Sequence, residues 1–110
     1  MEQLTLGYEF TQELNLPFNI RILNLNCNNR KIMNYLPNTI EELYLGSNFD
    51  LELNDLPSSI KIISFDSYSN YDKELNNLPQ SLEKLYLPIN YDNEIKNINP
   101  KCMITKKIDY

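Results

Sequence analysis

Leu36-Pro37-Asn38-Thr39-Ile40-Glu41-Glu42-Leu43-Tyr44-Leu45-Gly46-Ser47-Asn48-Phe49-Asp50 is the stretch on which the fold turns. The same order of slots returns as Leu78-Pro79-Gln80-Ser81-Leu82-Glu83-Lys84-Leu85-Tyr86-Leu87-Pro88-Ile89-Asn90-Tyr91-Asp92. Working outward, the Leu-Pro pair recurs at Leu16-Pro17, Leu36-Pro37, Leu56-Pro57 and Leu78-Pro79, at spacings of 20, 20 and 22 residues. The unit from Leu16 offers Ile20, Leu23, Leu25 and Asn28 in the matching slots. The unit from Leu56 offers Ile60, Ile63 and Phe65, then two extra residues before Asn70-Tyr71-Asp72. Such a period marks stacked supersecondary units.

Each slot has a physical reading. Alternation makes Leu43 and Leu45 face one side, while Glu42, Tyr44 and Gly46 face the other, which predicts a short strand. Proline removes a backbone donor and opposes a helix through its slot. The return side of each coil is therefore expected to be extended or a single 3₁₀ turn. Asn28, Asn48, Asn70 and Asn90 fall where the chain turns back, and an inward amide there would satisfy buried backbone groups of neighbouring coils. A structural asparagine ladder is expected at these four positions. A lone coil orders too much backbone for the apolar surface it buries, so the coils must share faces.

These slots resemble the leucine-rich repeat, L-x-x-L-x-L-x-x-N-x-L, apart from its final leucine. The expected fold is a leucine-rich-repeat solenoid of about five coils, with a parallel β-sheet on the concave face and little α-helix. The whole of residues 1–110 reads as one repeat domain. It comprises a partial repeat over 4–15, repeats over 16–35, 36–55, 56–77 and 78–97, and a degenerate end over 98–110 where the register is expected to dissolve.

The run Leu-Pro-x-Ser/Thr-Ile/Leu-x-x-Leu-x-Leu-Gly-x-x-Phe-Asp is more specific, and it resembles the FNIP repeat, a relative of the leucine-rich repeat abundant in social amoebae and giant amoebal viruses. The best matches are Leu36–Asp50, Leu56–Asp72 and Leu78–Asp92, whereas the unit from Leu16 departs after Leu25. The twenty-residue Leu-Pro repeat of secreted bacterial effectors is a weaker rival; it shares Leu-Pro-x-Ser-Leu but not the later stretch. The resemblance implies a kinship with ubiquitin-ligase adaptors, in which an F-box helical segment precedes the repeats. These 110 residues open on a strand pattern, so no F-box segment is expected within them.

Strand residues pointing away from the core form the expected partner-binding row of the concave face: Thr5, Ile22, Asn24, Glu42, Tyr44, Ile62, Ser64, Lys84 and Tyr86. Solenoids present such rows to partners, and a mixture of Tyr, Ile and small polar groups suits an interface. Tyr44 and Tyr86 bracket Ser64, which predicts a shallow notch between the two rings. Asp50, Glu52, Asp72, Glu74, Asp92 and Glu94 form an acidic column. It lacks the ligand set and glycine of a calcium loop, so solvated side chains with local turns are the expected reading and no metal or other cofactor is assigned.

No enzyme is expected. The chain holds no histidine, the commonest general base, and lacks a phosphate loop, nucleophile elbow or zinc spacing. Cys27 and Cys102 read as small apolar residues. The net charge of −5 and scattered lysines argue against nucleic acid, and no apolar run is long enough to span a bilayer. Two distant cysteines, no Asn-x-Ser/Thr sequon and no signal-peptide pattern point to an intracellular, cytoplasmic setting, the host cytoplasm if the source is viral. The expected partner is a host or cellular protein. The alternative is a structural, self-assembling repeat protein that associates through its uncapped end coils.

Overall fold

The computed structural model describes residues 3–6, 20–26, 36–54 and 56–106. Six short strands follow the repeat: β1 (Gln3–Leu6), β2 (Ile22–Leu25), β3 (Glu42–Leu45), β4 (Ile62–Phe65), β5 (Lys84–Leu87) and β6 (Met103–Lys106). They form a single sheet in chain order, and every neighbouring pair is parallel. The register is set by the alternation. Leu23, Leu43, Ile63 and Leu85 lie side by side, as do Leu25, Leu45 and Phe65. All seven are buried, because each coil hides its neighbour's apolar pair. The described residues contain no helix, and the fold is a parallel β-solenoid.

Two turns bend each coil. Before the strand, Pro37, Pro57 and Pro79 accept at their carbonyls from the N–H of Ile40, Ile60 and Leu82, at 3.4, 3.3 and 3.1 Å. After it, Gly46, Asp66 and Pro88 accept from Phe49, Ser69 and Tyr91 at 3.1, 3.1 and 3.2 Å. Between these turns the return segments have no regular structure, in keeping with the expected extended path.

Two expectations need correction. The register does not dissolve after Ile98, since β6 pairs with β5 from Lys84↔Met103 to Leu87↔Lys106. The turn at Asn99–Cys102 rebuilds the entry to the strand, with Cys102 N–H donating to Asn99 O at 2.9 Å. The sheet therefore counts one strand more than the repeats alone suggested.

The asparagine ladder is not found where it was expected. Asn48, Asn70 and Asn90 are exposed, and Asn28 lies outside the described residues. The next residues, Phe49, Tyr71 and Tyr91, take the inward place. An aromatic side chain fills the space under a turn better than an amide, and it brings more apolar area. Phe49, Tyr71 and Tyr91 stack coil upon coil at centroid separations of 6.0 and 6.4 Å, both with interplanar angles of 21°. Phe65 tilts against Tyr71 at 4.6 Å.

Backbone carbonyls are bridged from coil to coil by that ladder and by a second one. Tyr71 donates its hydroxyl to Leu51 O and Tyr91 donates to Lys73 O, both at 2.8 Å. Thr39, Ser59 and Ser81 donate to Ile20 O, Ile40 O and Ile60 O at 2.7, 2.7 and 2.8 Å. Hydroxyls thus bridge successive coils where amides were expected to. Some described asparagines, outside the expected slots, do act so: Asn93 and Asn99 donate their amides to Asp72 O and Gln80 O at 2.5 and 2.9 Å, and so does Asn26, its Oδ1 accepting from Asn48 N–H at 2.8 Å. Asn26 lies over Gly46, where an added Cβ would fall 2.2 Å from the same oxygen. Glycine is needed there for close approach, not for an unusual dihedral.

Candidate interaction surface

Away from the core, alternate strand positions form two rows across the sheet. One runs Gln3, Ile22, Glu42, Ile62, Lys84, Met103; the other runs Thr5, Asn24, Tyr44, Ser64, Tyr86, Thr105. Neighbours in a row are spaced by the sheet's repeat of about 4.8 Å. Ile22, Asn24, Glu42, Tyr44, Ile62 and Tyr86 are half-buried and Lys84 is exposed. Thr5 falls in register with Asn24, but its side chain is outside the described residues. The parallel register thus brings the expected row together on one face. Met103 and Thr105 extend it, and sequence reasoning missed them because the last coil lacks the Leu-Pro signature.

Tyr44 and Glu42 are locked together. The phenol donates to Glu42 Oε1 at 2.5 Å. That bond, then burial and the carboxylate's charge, push the Tyr44 hydroxyl up to about 12. Two residues apart on one strand, the two groups share a face, so a carboxylate is held beside an aromatic ring at the centre of the sheet. Ser64, between Tyr44 and Tyr86 in the same row, is 5% exposed.

Tyr44 and Ser64, two of the three residues of the expected notch, border a neighbouring opening. A cleft of about 210 Å³ is lined by Asn24, Tyr44, Ser64, Gly46 and Asp66, with Leu45 among the residues below it. Tyr86 does not line it. This cleft lies toward the strands' C-terminal ends, where Gly46 has no side chain. Asp66 starts the turn that carries the two extra residues, and its Oδ2 accepts from Tyr68 N–H at 3.1 Å. The longer spacing before Asn70 was visible in the sequence, but nothing local tied it to this cleft.

Elsewhere, the acidic column is solvated as expected: Asp50, Glu52, Asp72, Glu74, Asp92 and Glu94 are all exposed. Asn54 and Asn76 donate to Glu52 and Glu74 at 3.2 and 2.8 Å, and Lys73 lies 3.9 Å from Asp50. A polar trough of about 460 Å³ runs beside it, lined by Glu52, Asn54, Asp72, Glu74, Asn76 and Asn77 among others. Among the described residues no group of three or more acidic, cysteine or histidine side chains is placed to hold a metal ion. Cys102 packs half-buried against the core and burial pushes its thiol up, away from the reactive thiolate; Cys27 is outside the described residues. No helix among the described residues is long and apolar enough to cross a membrane.

Comparison with known families matches residues 48–90 to the FNIP repeat. That stretch, about two-fifths of the chain, is similar to the FNIP repeat. The FNIP segment spans the turn after β3 through the turn after β5, and so contains β4, β5, the hydroxyls of Ser59 and Ser81, and the stacked rings of Phe49 and Tyr71. Comparison with curated proteins and with solved structures gave no match.

Proposed function

We propose that this chain is a protein-interaction module of the leucine-rich-repeat type, which receives a partner protein on the open face of its sheet and performs no catalysis. One observation carries the reading. The fold is held together from the return side by stacked rings and hydroxyls, while the opposite face presents Ile22, Tyr44, Ile62 and Tyr86 half-exposed. Tyrosine suits such a face because it buries large area at modest entropic cost. The negative charge and scattered lysines favour a protein partner over nucleic acid. The cysteine usage favours an intracellular setting. Delivery of that partner to a ubiquitin ligase, which the family resemblance implies, would be a second step.

The test is crosslinking by position. A photoreactive residue at Ile62 should capture the partner from an extract of the native cell, and one at Glu94 on the return side should not. The double variant Tyr44→Ala/Tyr86→Ala should lose that partner while keeping its thermal midpoint. Capture from Glu94 alone, or an unchanged partner with the double variant, would move binding off the sheet.

A further inference from the structure

We infer that the cleft beside Tyr44 receives an arginine side chain of the partner protein, its guanidinium laid on the Tyr44 ring and paired with Asp66, an assignment that rests on the sheet-face reading above.

Four outward positions on two neighbouring strands make the cleft. Tyr44 stands beside Ser64 in the register of β3 and β4. Asp66 N–H donates to Leu45 O at 2.9 Å, so the pairing runs on past Phe65 and puts Asp66 beside Gly46. The corners of this square therefore differ: a ring, a small hydroxyl, a carboxylate and a position with no side chain. Buried Leu45 and Phe65 lie beneath. The glycine is fixed by the close approach of Asn26, so the opening is built into the stacking of the coils. Along the diagonal from Tyr44 to Asp66 the backbones are about 8 Å apart, given a strand spacing of about 4.8 Å and a two-residue rise of about 6.6 Å. A side chain entering there can lie on the ring and still reach the carboxylate.

Charge selects the occupant. Asp66 is the charged residue of the lining, and no Lys or Arg lines the cleft. It is exposed and makes no ion pair with a described residue. Its Oδ2 accepts from Tyr68 N–H at 3.1 Å, which orients the carboxylate and leaves lone pairs on it for a further donor. Glu42 adds a second carboxylate at the tip of the same ring, through its bond to the Tyr44 hydroxyl. An apolar guest would desolvate Asp66 without neutralising it, and an anion would be repelled. Of the two common basic side chains arginine fits better. Its planar guanidinium stacks on an aromatic face and grips a carboxylate through a fork, whereas the ammonium of lysine is a compact, strongly hydrated charge. The volume agrees: at about 210 Å³ the cleft is smaller than the roughly 300–1,000 Å³ of small-molecule pockets, and suits one side chain.

The experiment titrates the isotopically labelled full chain with capped pentapeptides Gly-Gly-X-Gly-Gly, in which X is Arg, Lys, Leu or Glu, and follows the backbone amide resonances. The arginine peptide should shift Gly46, Ser64 and Asp66, and less so at high salt. The leucine and glutamate peptides should leave them in place, and the lysine peptide should bind more weakly. Asp66→Asn removes the charge but keeps an oxygen for Tyr68 N–H, so the turn is retained; it should weaken the arginine peptide about threefold or more. Tyr44→Leu should do the same. Shifts confined to the return side around Asp72 and Glu74, equal binding of lysine, or an affinity indifferent to Asp66→Asn overturns the assignment. Crosslinking from Ile62 decides the sheet face separately. A partner captured there by a chain that ignores the arginine peptide leaves the sheet face standing and removes the arginine alone. Shifts at the cleft with no capture from Ile62 uphold the guanidinium site and contradict the wider sheet-face reading.

Discussion

At the scale of single residues, two asparagines show how position outweighs type. Asn48 follows the repeat's asparagine slot, but its amide is exposed and only its backbone N–H is engaged, by Asn26 Oδ1. Asn26 precedes it by one coil and does the bridging. We expect Asn26→Ala to lower stability by about 1 kcal/mol, the net value of a hydrogen bond of this kind. Asn48→Ala should stay within about 0.5 kcal/mol. Chemical denaturation of the two variants checks the order, and a larger loss for Asn48→Ala would contradict the geometry. Tyr71 carries a pH dependence. Burial, then the charges of Tyr91, Asp50 and other neighbouring groups, hold its hydroxyl well above its ordinary value. Unfolded tyrosine ionises near pH 10, so the folded chain keeps a proton that the unfolded chain releases. The resulting stabilisation is complete below about pH 10 and is lost as the pH rises further. The midpoint of wild type should therefore fall more steeply through the alkaline range than that of Tyr71→Phe, and equal slopes would show that Tyr71 is not the group responsible.

At the scale of the element, the strand and the Leu-Pro turn were legible because their causes are local. Two-residue alternation places Leu43 and Leu45 inside without reference to any other coil. Proline and the following turn need only their own residues. The ladders were not legible in the same way. Whether Asn48 or Phe49 enters the core depends on which of them finds a stacking partner one coil away, and Tyr71 qualifies Phe49. The hydroxyls of Thr39, Ser59 and Ser81 were plainly repeated in the sequence, yet their acceptors lie 19, 19 and 21 residues away. β6 was missed for the opposite reason. Its entry turn is made by Asn99–Cys102, without the Leu-Pro pair, and its strand slots include Lys106. On the candidate surface, the row itself was legible from alternation, whereas the cleft at Gly46 and Asp66 arises only when adjacent turns meet. The hydroxyl ladder yields its own expectation. Ser59→Ala and Ser81→Ala should each cost about 0.5–1.5 kcal/mol. Because they serve different pairs of coils, their effects should be close to additive in a double variant. Neutral substitutions at both would mean that water replaces the hydroxyls freely.

At the scale of the whole molecule, the chain divides its labour between two sides of one solenoid. The return side carries the stacked rings and the hydroxyls that join coil to coil. The sheet face carries side chains whose removal should not disturb that stack. Tyrosine occurs on both sides, which makes a like-for-like comparison available. Removing the hydroxyls of Tyr71 and Tyr91 leaves the carbonyls of Leu51 and Lys73 without their donors, at about 1–3 kcal/mol for each buried group. Removing those of Tyr44 and Tyr86 loses one part-buried hydrogen bond, between Tyr44 and Glu42, whose carboxylate can turn to water, a change of about 0.5–1.5 kcal/mol. The most direct measurement is the thermal midpoint of Tyr71→Phe/Tyr91→Phe beside that of Tyr44→Phe/Tyr86→Phe. A fall of about 4 °C or more for the first pair, with a clearly smaller one for the second, is the predicted result. Equal midpoints, or a greater fall for the sheet-face pair, would contradict the division of the molecule into a structural side and a binding side.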